Sequence, residues 1–290
     1  HNRFWKFVTE RHGIWHRRFV ERQPPPWTSD PILREFKFCN VYRELDRETQ
    51  WMLTHLATIP DLDQRWFALL VFRLFNRGET FERLGIPDPR PGWLGRLRLG
   101  LRAMKKAGRN PFTNAYIVHS GGPGAVRTET YIKAVRWVAR NYRKMTGDFQ
   151  WSTAASQHDE LQRIPTVGSF LAFQIWQDLA YLDLVNPDPA FVVAGPGARL
   201  GLRLLYPNWK LKDLDPAELV RTLTTEQSTM LPADFPRYPS RWGRHGYIAA
   251  QDIQNCLCEY GKYWKMKIGE GKQRMQFTPA EVPLTYGGLP

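Results

Sequence analysis

The chain has 290 residues, 42% apolar and 13% aromatic, enough to bury a sizeable core and to exclude wholesale disorder. Its 41 lysines and arginines exceed 28 acidic residues, a formal charge of +13, so a polyanionic partner is expected. No run of eighteen apolar residues and no charged-then-apolar leader occurs, which points to an intracellular protein away from membranes, and Cys39, Cys256 and Cys258 lack the spacing of a disulfide framework, a zinc site or an iron–sulfur cluster. In chain order, residues 2–22 place Phe4, Phe7, Val8, Ile14, Trp15 and Phe19 at near-helical spacing, and Pro24-Pro25-Pro26 stops that helix. Asp30-Pro31 reads as a helix start leading toward Phe38, and a second helical stretch is predicted over 40–56. Amphipathic helices follow at 64–75 and 93–106, a loop with His119 and three glycines interrupts at 110–124, and a basic helix runs 128–144. A helix–hairpin–helix is predicted at about 156–184, with the turn Ile164-Pro165-Thr166-Val167-Gly168 at its centre. Further helices are predicted at 196–205 and 216–230, a proline-rich loop at 231–244, a last helix at 247–262 and an extended tail from Phe277.

No strand series and no internal repeat is visible, so the predicted fold class is all-α: one helical domain over 1–290, with two lobes on either side of the 110–124 loop and a cleft between them. The Phe191-to-Arg199 string imitates a strand, a glycine turn and a helix, but Leu200 stands where a dinucleotide fingerprint needs its third glycine. The 119–124 loop lacks a P-loop lysine. No cofactor and no metal are therefore expected. His119 reads either as a general base or as a solvated loop histidine, and Trp5, Trp15, Trp27 and Trp242 either as base-stacking rings or as core.

Two polar stripes carry the candidate chemistry. Asn40, Arg43 and Glu44, at spacings of three and four, are predicted to share a helix face, with Asp46 pointing partly elsewhere. Asn255, Glu259 and Lys262 form a second stripe among apolar residues. Read by themselves, both stripes fit an ion-paired surface or a buried structural network as readily as a catalytic site.

The turn at 164–168 aims backbone N–H groups and a helix N-terminus at one point, which suits a phosphodiester, although an ordinary helix–helix turn has the same sequence features. It resembles the hairpin of helix-hairpin-helix DNA glycosylases, with Thr166 where that family usually has glycine. The resemblance implies a DNA contact by Arg163, Thr166, Val167, Gly168 and Ser169, and Arg199 is added as a further DNA-binding candidate. The glycosylase aspartate is replaced by Gly195 and the bifunctional lysine by Phe170, so glycosidic cleavage by the standard machinery is not expected.

Longer strings carry a second resemblance. Lys37-Phe38-Cys39-Asn40-Val41-Tyr42-Arg43-Glu44-Leu45-Asp46-Arg47 and the 252–263 string are similar to signatures of the alpha-glutamyl/putrescinyl thymine pyrophosphorylase family, also described as the helical domain associated with 5-hydroxymethyluracil DNA kinase. Asn2-Arg3-Phe4-Trp5, the 26–33 segment and Val193-Ala194-Gly195-Pro196-Gly197-Ala198 extend it over nearly the whole chain. It implies a thymine hypermodification step in which an amine, an amino acid or a polyamine, displaces (pyro)phosphate from kinase-activated 5-hydroxymethyluracil in DNA. Asn40, Arg43, Glu44, Asp46, Glu259 and Lys262 are the catalytic candidates under that resemblance. A P-loop 5-hydroxymethyluracil DNA kinase, separate or fused, is the implied partner, and the opening at His1 suggests a fragment. Two alternatives stay open: a glycosylase-like base-excision enzyme, and a non-catalytic DNA-binding module that partners the kinase.

Overall fold

The computed structural model describes residues 1–113, 126–209, 212–242, 246–271 and 276–277. His119 and its glycine loop lie outside the described residues, as does nearly all of the expected extended tail. Among the described residues the fold is all-α, with twelve α-helices, two single 3-10 turns, and one isolated bridge between Phe36 and Gln276.

The chain forms two compact units, the first of residues 1–46 and 188–290, the second of residues 47–187. Residues 110–113 and the helix from Arg127, on either side of the loop expected to separate two lobes, both belong to the second unit.

In the first unit lie α1 (Asn2–Phe19), α2 (Pro31–Glu35), α10 (Pro196–Leu205), α11 (Pro216–Met230) and α12 (Ala250–Lys267). Local signals set several boundaries: Asp30 accepts the N–H groups of Ile32 and Leu33, Asp215 accepts that of Ala217, and proline opens α2, α10 and α11. Helix α12 is buried along almost its whole length and receives Phe4 and Phe7 of α1 on Tyr260 and Tyr263, with ring centroids 5.5 and 5.1 Å apart. Its contact with α10 is glycine-mediated. A Cβ on Gly201 would stand 2.3 Å from the Leu257 carbonyl oxygen, and one on Gly197 would strike Cys258 Sγ at 2.2 Å. Gly197, from the string that imitates a nucleotide motif, and Gly201 beyond it thus serve close helix packing.

The second unit contains α3 (Arg47–Leu56), α4 (Leu62–Phe75), α5 (Gly78–Leu84), α6 (Pro91–Lys106), α7 (Arg127–Thr146), α8 (Ala154–Leu161) and α9 (Ser169–Tyr181). Residues 67–75 of α4 are all buried, as are 171–181 of α9, so these two helices form the core. Arg73 and Asp178 form an ion pair between them, and Arg73 Nη1 donates to Asn76 Oδ1 (2.7 Å). Desolvation makes such a pair a costly way to gain stability, but its hydrogen bonds fix how α4 and α9 meet.

One predicted element is wrong. Residues 40–46 are not the first turns of a helix: Tyr42 and Asp46 are extended around a single 3-10 turn at Arg43–Leu45, and the α-helix begins at Arg47. Asn40 N–H donates to Asp46 Oδ1 (2.8 Å) and Asn40 Nδ2 to the Leu45 carbonyl (2.6 Å), local bonds that compete with helical ones. Asn40, Arg43 and Glu44 therefore share no helix face.

Candidate functional site

Helix α12 holds the 39–43 segment by its side chains. Asp252, Asn255, Cys256 and Glu259 recur at three, four and seven residues and so face one way. Asp252 Oδ1 accepts the Arg43 N–H (2.8 Å), Asn255 Nδ2 donates to the Asn40 carbonyl (3.2 Å), and Glu259 Oε2 accepts the Cys39 N–H (3.2 Å). Cys256 Sγ reaches the Val41 carbonyl at 3.8 Å. An irregular buried backbone is thereby satisfied without a ladder, which meets the requirement that buried amide groups be paired.

Arg11 of α1 closes the segment from the other side, giving Nε to the Cys39 carbonyl (2.9 Å) and Nη2 to the Phe38 carbonyl (3.0 Å) and Asn40 Oδ1 (2.8 Å). Lys262 pairs with Glu259 Oε1 one turn along α12. Burial opposes the ammonium charge of Lys262, but the Glu259 carboxylate outweighs it and holds the group protonated well above its ordinary range. Asn40, Asp46, Glu259 and Lys262, four of the six candidates, thus converge on one segment, together with Arg11.

Arg43 and Glu44 are placed differently. Arg43 is buried at 1% exposure, and Glu44 turns to the Arg241 N–H, which donates to its Oε2 at 3.1 Å. Burial raises the Glu44 carboxyl above its usual range, against the pull of that N–H and of the Arg241 charge.

The two aspartates have the most informative environments. Asp252 is 2% exposed, and burial raises its pKa to about 7 despite the Arg43 N–H. Asp46 is half-buried; burial raises it to about 6, partly offset by the Asn40 N–H and by the charges of Arg43 and Arg11. A carboxyl near 6 exists substantially as the base at neutral pH while keeping appreciable affinity for a proton. Burial likewise pushes the Cys39 and Cys256 thiols up, so neither is an activated nucleophile.

In the second unit, α8 and α9 form the predicted hairpin. Gly168 is the extended N-cap residue of α9, Gly168 and Ser169 are exposed, and a Cβ on Gly168 would meet no atom within 4 Å. Thr166 lies in the left-handed region at φ +73°, the conformation for which glycine is usual and a β-branched residue strained. The Val167 N–H is used within the turn, donating to the Ile164 carbonyl (3.0 Å), and its side chain is buried; Arg163 is exposed but paired with Glu160 at 2.6 Å. Buried His158 anchors the turn through the Ser169 carbonyl (2.8 Å). Arg199 belongs to α10 of the first unit and folds back on the Ala194 carbonyl (2.9 Å).

Sequence reasoning missed Arg11 and Asp252 as site residues. Asp252 had a usable signal, its spacing of three and seven residues from Asn255 and Glu259, whereas Arg11 is one cation among many on α1. Among the described residues no three histidine, cysteine, aspartate or glutamate side chains converge as a metal-binding group, and no helix is long and apolar enough to cross a membrane.

Comparison with known proteins adds a whole-chain likeness. The family model described as 5-hmdU DNA kinase, helical domain, matches residues 1–273. A "5-hmdU DNA kinase" of Bacillus phage SP10 is 29% identical over 282 residues, covering 89% of this chain and 44% of that protein. The chain thus spans less than half the length of this relative. No solved structure matches.

Proposed function

Because the chain belongs to the family of 5-hmdU DNA kinase helical domains, we propose that it acts in thymine hypermodification, displacing a phosphate or pyrophosphate from activated 5-hydroxymethyluracil in DNA with an amine. The similarity of the 37–47 and 252–263 strings to the thymine pyrophosphorylase family supports the same step.

The observation that carries the proposal is Asp46, a half-buried carboxyl near pKa 6 hydrogen-bonded to Asn40 and close to the Arg43 and Arg11 cations. In the displacement, the amine nitrogen bonds to the methylene carbon on C5 of the base. The carbon–oxygen bond breaks, and its electron pair leaves with the phosphate or pyrophosphate. Asp46 takes the proton that the incoming ammonium must lose to free the lone pair that forms the new bond, and the cations stabilise charge developing on the leaving group. Glu259 has both oxygens engaged, with Cys39 N–H and Lys262, so its part is to position the segment rather than to accept a proton. Asp252 acts likewise through Arg43. The activated base is presented by extrusion from the duplex or as single strand, and the exposed hairpin N–H groups of Gly168 and Ser169 serve as a phosphate contact.

A second reading is favoured by the name of the phage relative, a 5-hmdU DNA kinase, and by the 44% of its length that this chain spans: a helical module that positions DNA for a kinase and performs no chemistry itself. Incubation with kinase-activated 5-hydroxymethyluracil DNA and a mixture of amines, followed by nucleoside mass spectrometry, separates the readings. An amine-linked thymidine supports displacement, binding without a new nucleoside supports the module, and accumulation of abasic DNA would restore the glycosylase alternative.

A further inference from the structure

The positive charge of this protein is concentrated in one stretch. Residues 91–146 hold 12 of its 41 lysines and arginines and a single acidic residue, Glu129, out of 28; the rest of the chain is nearly balanced, at 29 against 27. All 12 cations lie on α6, on α7 or at Arg109 beyond α6, and all are described residues.

Packing determines where these charges point. Helix α6 buries Trp93, Leu97, Leu101 and Met104, and α7 buries Tyr131, Val135, Val138 and Tyr142. Phe67 of α4 meets Trp93 at 6.2 Å and Tyr142 at 5.6 Å, so both helices direct their apolar faces toward the same core helix. The opposite faces carry the cations. On α7, Lys133, Arg136, Arg140 and Lys144 are exposed at spacings of three, four and four, one stripe about 16 Å long. On α6, Arg102, Lys105 and Lys106 are exposed on the side away from the core. None of these seven has a carboxylate partner among the described residues. An Arg98–Glu129 pair (2.6 Å) links the two helices.

A stripe of helical charge ordinarily carries counter-charges at three and four residues. Here the one carboxylate on either helix, Glu129 four residues before Lys133, is taken by Arg98, so the stripe keeps a positive field that a bound polyanion would neutralise. A membrane surface is the weaker fit, because the apolar faces of both helices are buried against α4 and none is left to enter a bilayer beside the cations. A phosphate backbone fits: over about 16 Å one DNA strand passes roughly five phosphates.

We propose that the outward faces of α6 and α7 form a sequence-independent contact to the phosphate backbone of duplex DNA, additional to the 164–168 hairpin. This inference rests on the proposed function for the identity of the polyanion as DNA. The contact supplies affinity without reading bases, and so serves a modification that recurs at many sequence positions.

The test uses the whole chain with Arg102→Gln, Lys106→Gln, Arg136→Gln and Lys144→Gln combined. Glutamine is a good helix former at exposed positions, and far-UV circular dichroism verifies the fold. Binding of an unmodified labelled duplex is followed by fluorescence anisotropy between about 50 and 200 mM salt. Affinity should fall on the order of a hundredfold at low salt, and the log–log salt slope should flatten by about 3.6, at 0.9 per lost phosphate contact. Equal affinity and slope in a folded variant would overturn the proposal. So would loss of binding to phosphatidylserine–phosphatidylcholine vesicles with DNA affinity retained. The binding assay contains no amine and no activated base, so failure of the displacement reaction shows separately, in the wild-type mass spectrum.

Discussion

In the first unit the carboxylate oxygens of Asp252, Glu259 and Asp46 accept the N–H groups of Arg43, Cys39 and Asn40, whereas in the second Arg102, Lys106, Arg136 and Lys144 stand exposed with no carboxylate partner among the described residues. The same kind of interaction does two different jobs. Desolvated charge acts at contact distance, fixes a backbone and shifts the proton affinity of the group itself. Exposed charge fixes nothing locally but projects a field over about 10 Å at moderate salt, where a large polyanion can sense it. Proton concentration should therefore report on the first unit and ionic strength on the second.

The largest expected effect tests the buried side of this contrast. The unfolded chain releases the Asp252 proton near pH 4, but the folded chain holds it to about 7. The folded state binds the proton more tightly, so the stabilisation is present in full below the unfolded value and is lost as pH rises through the folded one. The span is up to roughly 4 kcal/mol for a group this buried. Urea unfolding midpoints should fall between about pH 4.5 and pH 7.5, and Asp252→Asn, which still accepts the Arg43 N–H, should flatten the curve. Midpoints that rise over that window would contradict the assignment.

Next in size is Asp46→Asn. The amide oxygen can still receive the Asn40 N–H but cannot take a proton from an ammonium group, so turnover should drop about a hundredfold, equivalent to roughly 2.7 kcal/mol, with DNA affinity unchanged. The wild-type rate should climb through about pH 6 as Asp46 ionises, and the variant should lack that limb. A variant with normal turnover would leave the 39–46 segment a purely structural feature.

A smaller effect contrasts two glycines. Gly201→Ala forces a methyl against the Leu257 carbonyl and should cost about 1–3 kcal/mol in denaturant unfolding, whereas Gly168→Ala meets open space and should cost little. Smallest of all, Thr166→Gly relieves a β-branched residue at φ +73° and should gain about 1 kcal/mol or less, read as a small rise in melting temperature.

Elements whose ends are determined locally were legible in the sequence. Asp30-Pro31, Pro196 and Asp215-Pro216 open helices where expected, because a capping carboxylate or a proline ring acts within one turn. Helix α5 escaped, since seven residues show too little periodicity and Phe81 declares its role only by packing against Phe72 and Phe75. The 40–46 segment was misread for a different reason: its conformation is dictated by α12, more than two hundred residues away in sequence. The argument from a shared helix face was incorrect; Asn40, Asp46, Glu259 and Lys262 come together because α12 and Arg11 grip an irregular stretch of backbone from two sides. The division at 46/47 and 187/188 was also invisible, because the first unit is assembled from both ends of the chain.

The glycine contact between α10 and α12 has a consequence for how much change the site can tolerate. Side chains between two helices act as compressible spacers, and substitutions among them are absorbed by repacking. At Gly197 and Gly201 there is no spacer, so α12 is indexed by main-chain and Cys258 atoms, as a ruler is held against a stop. A slip of one residue along its axis, about 1.5 Å with a 100° rotation, would carry Asp252 and Glu259 away from the amides they hold. Drift in sequence should then be freest on the exposed face of α11 and most restricted at these two glycines, residues that carry no functional group at all.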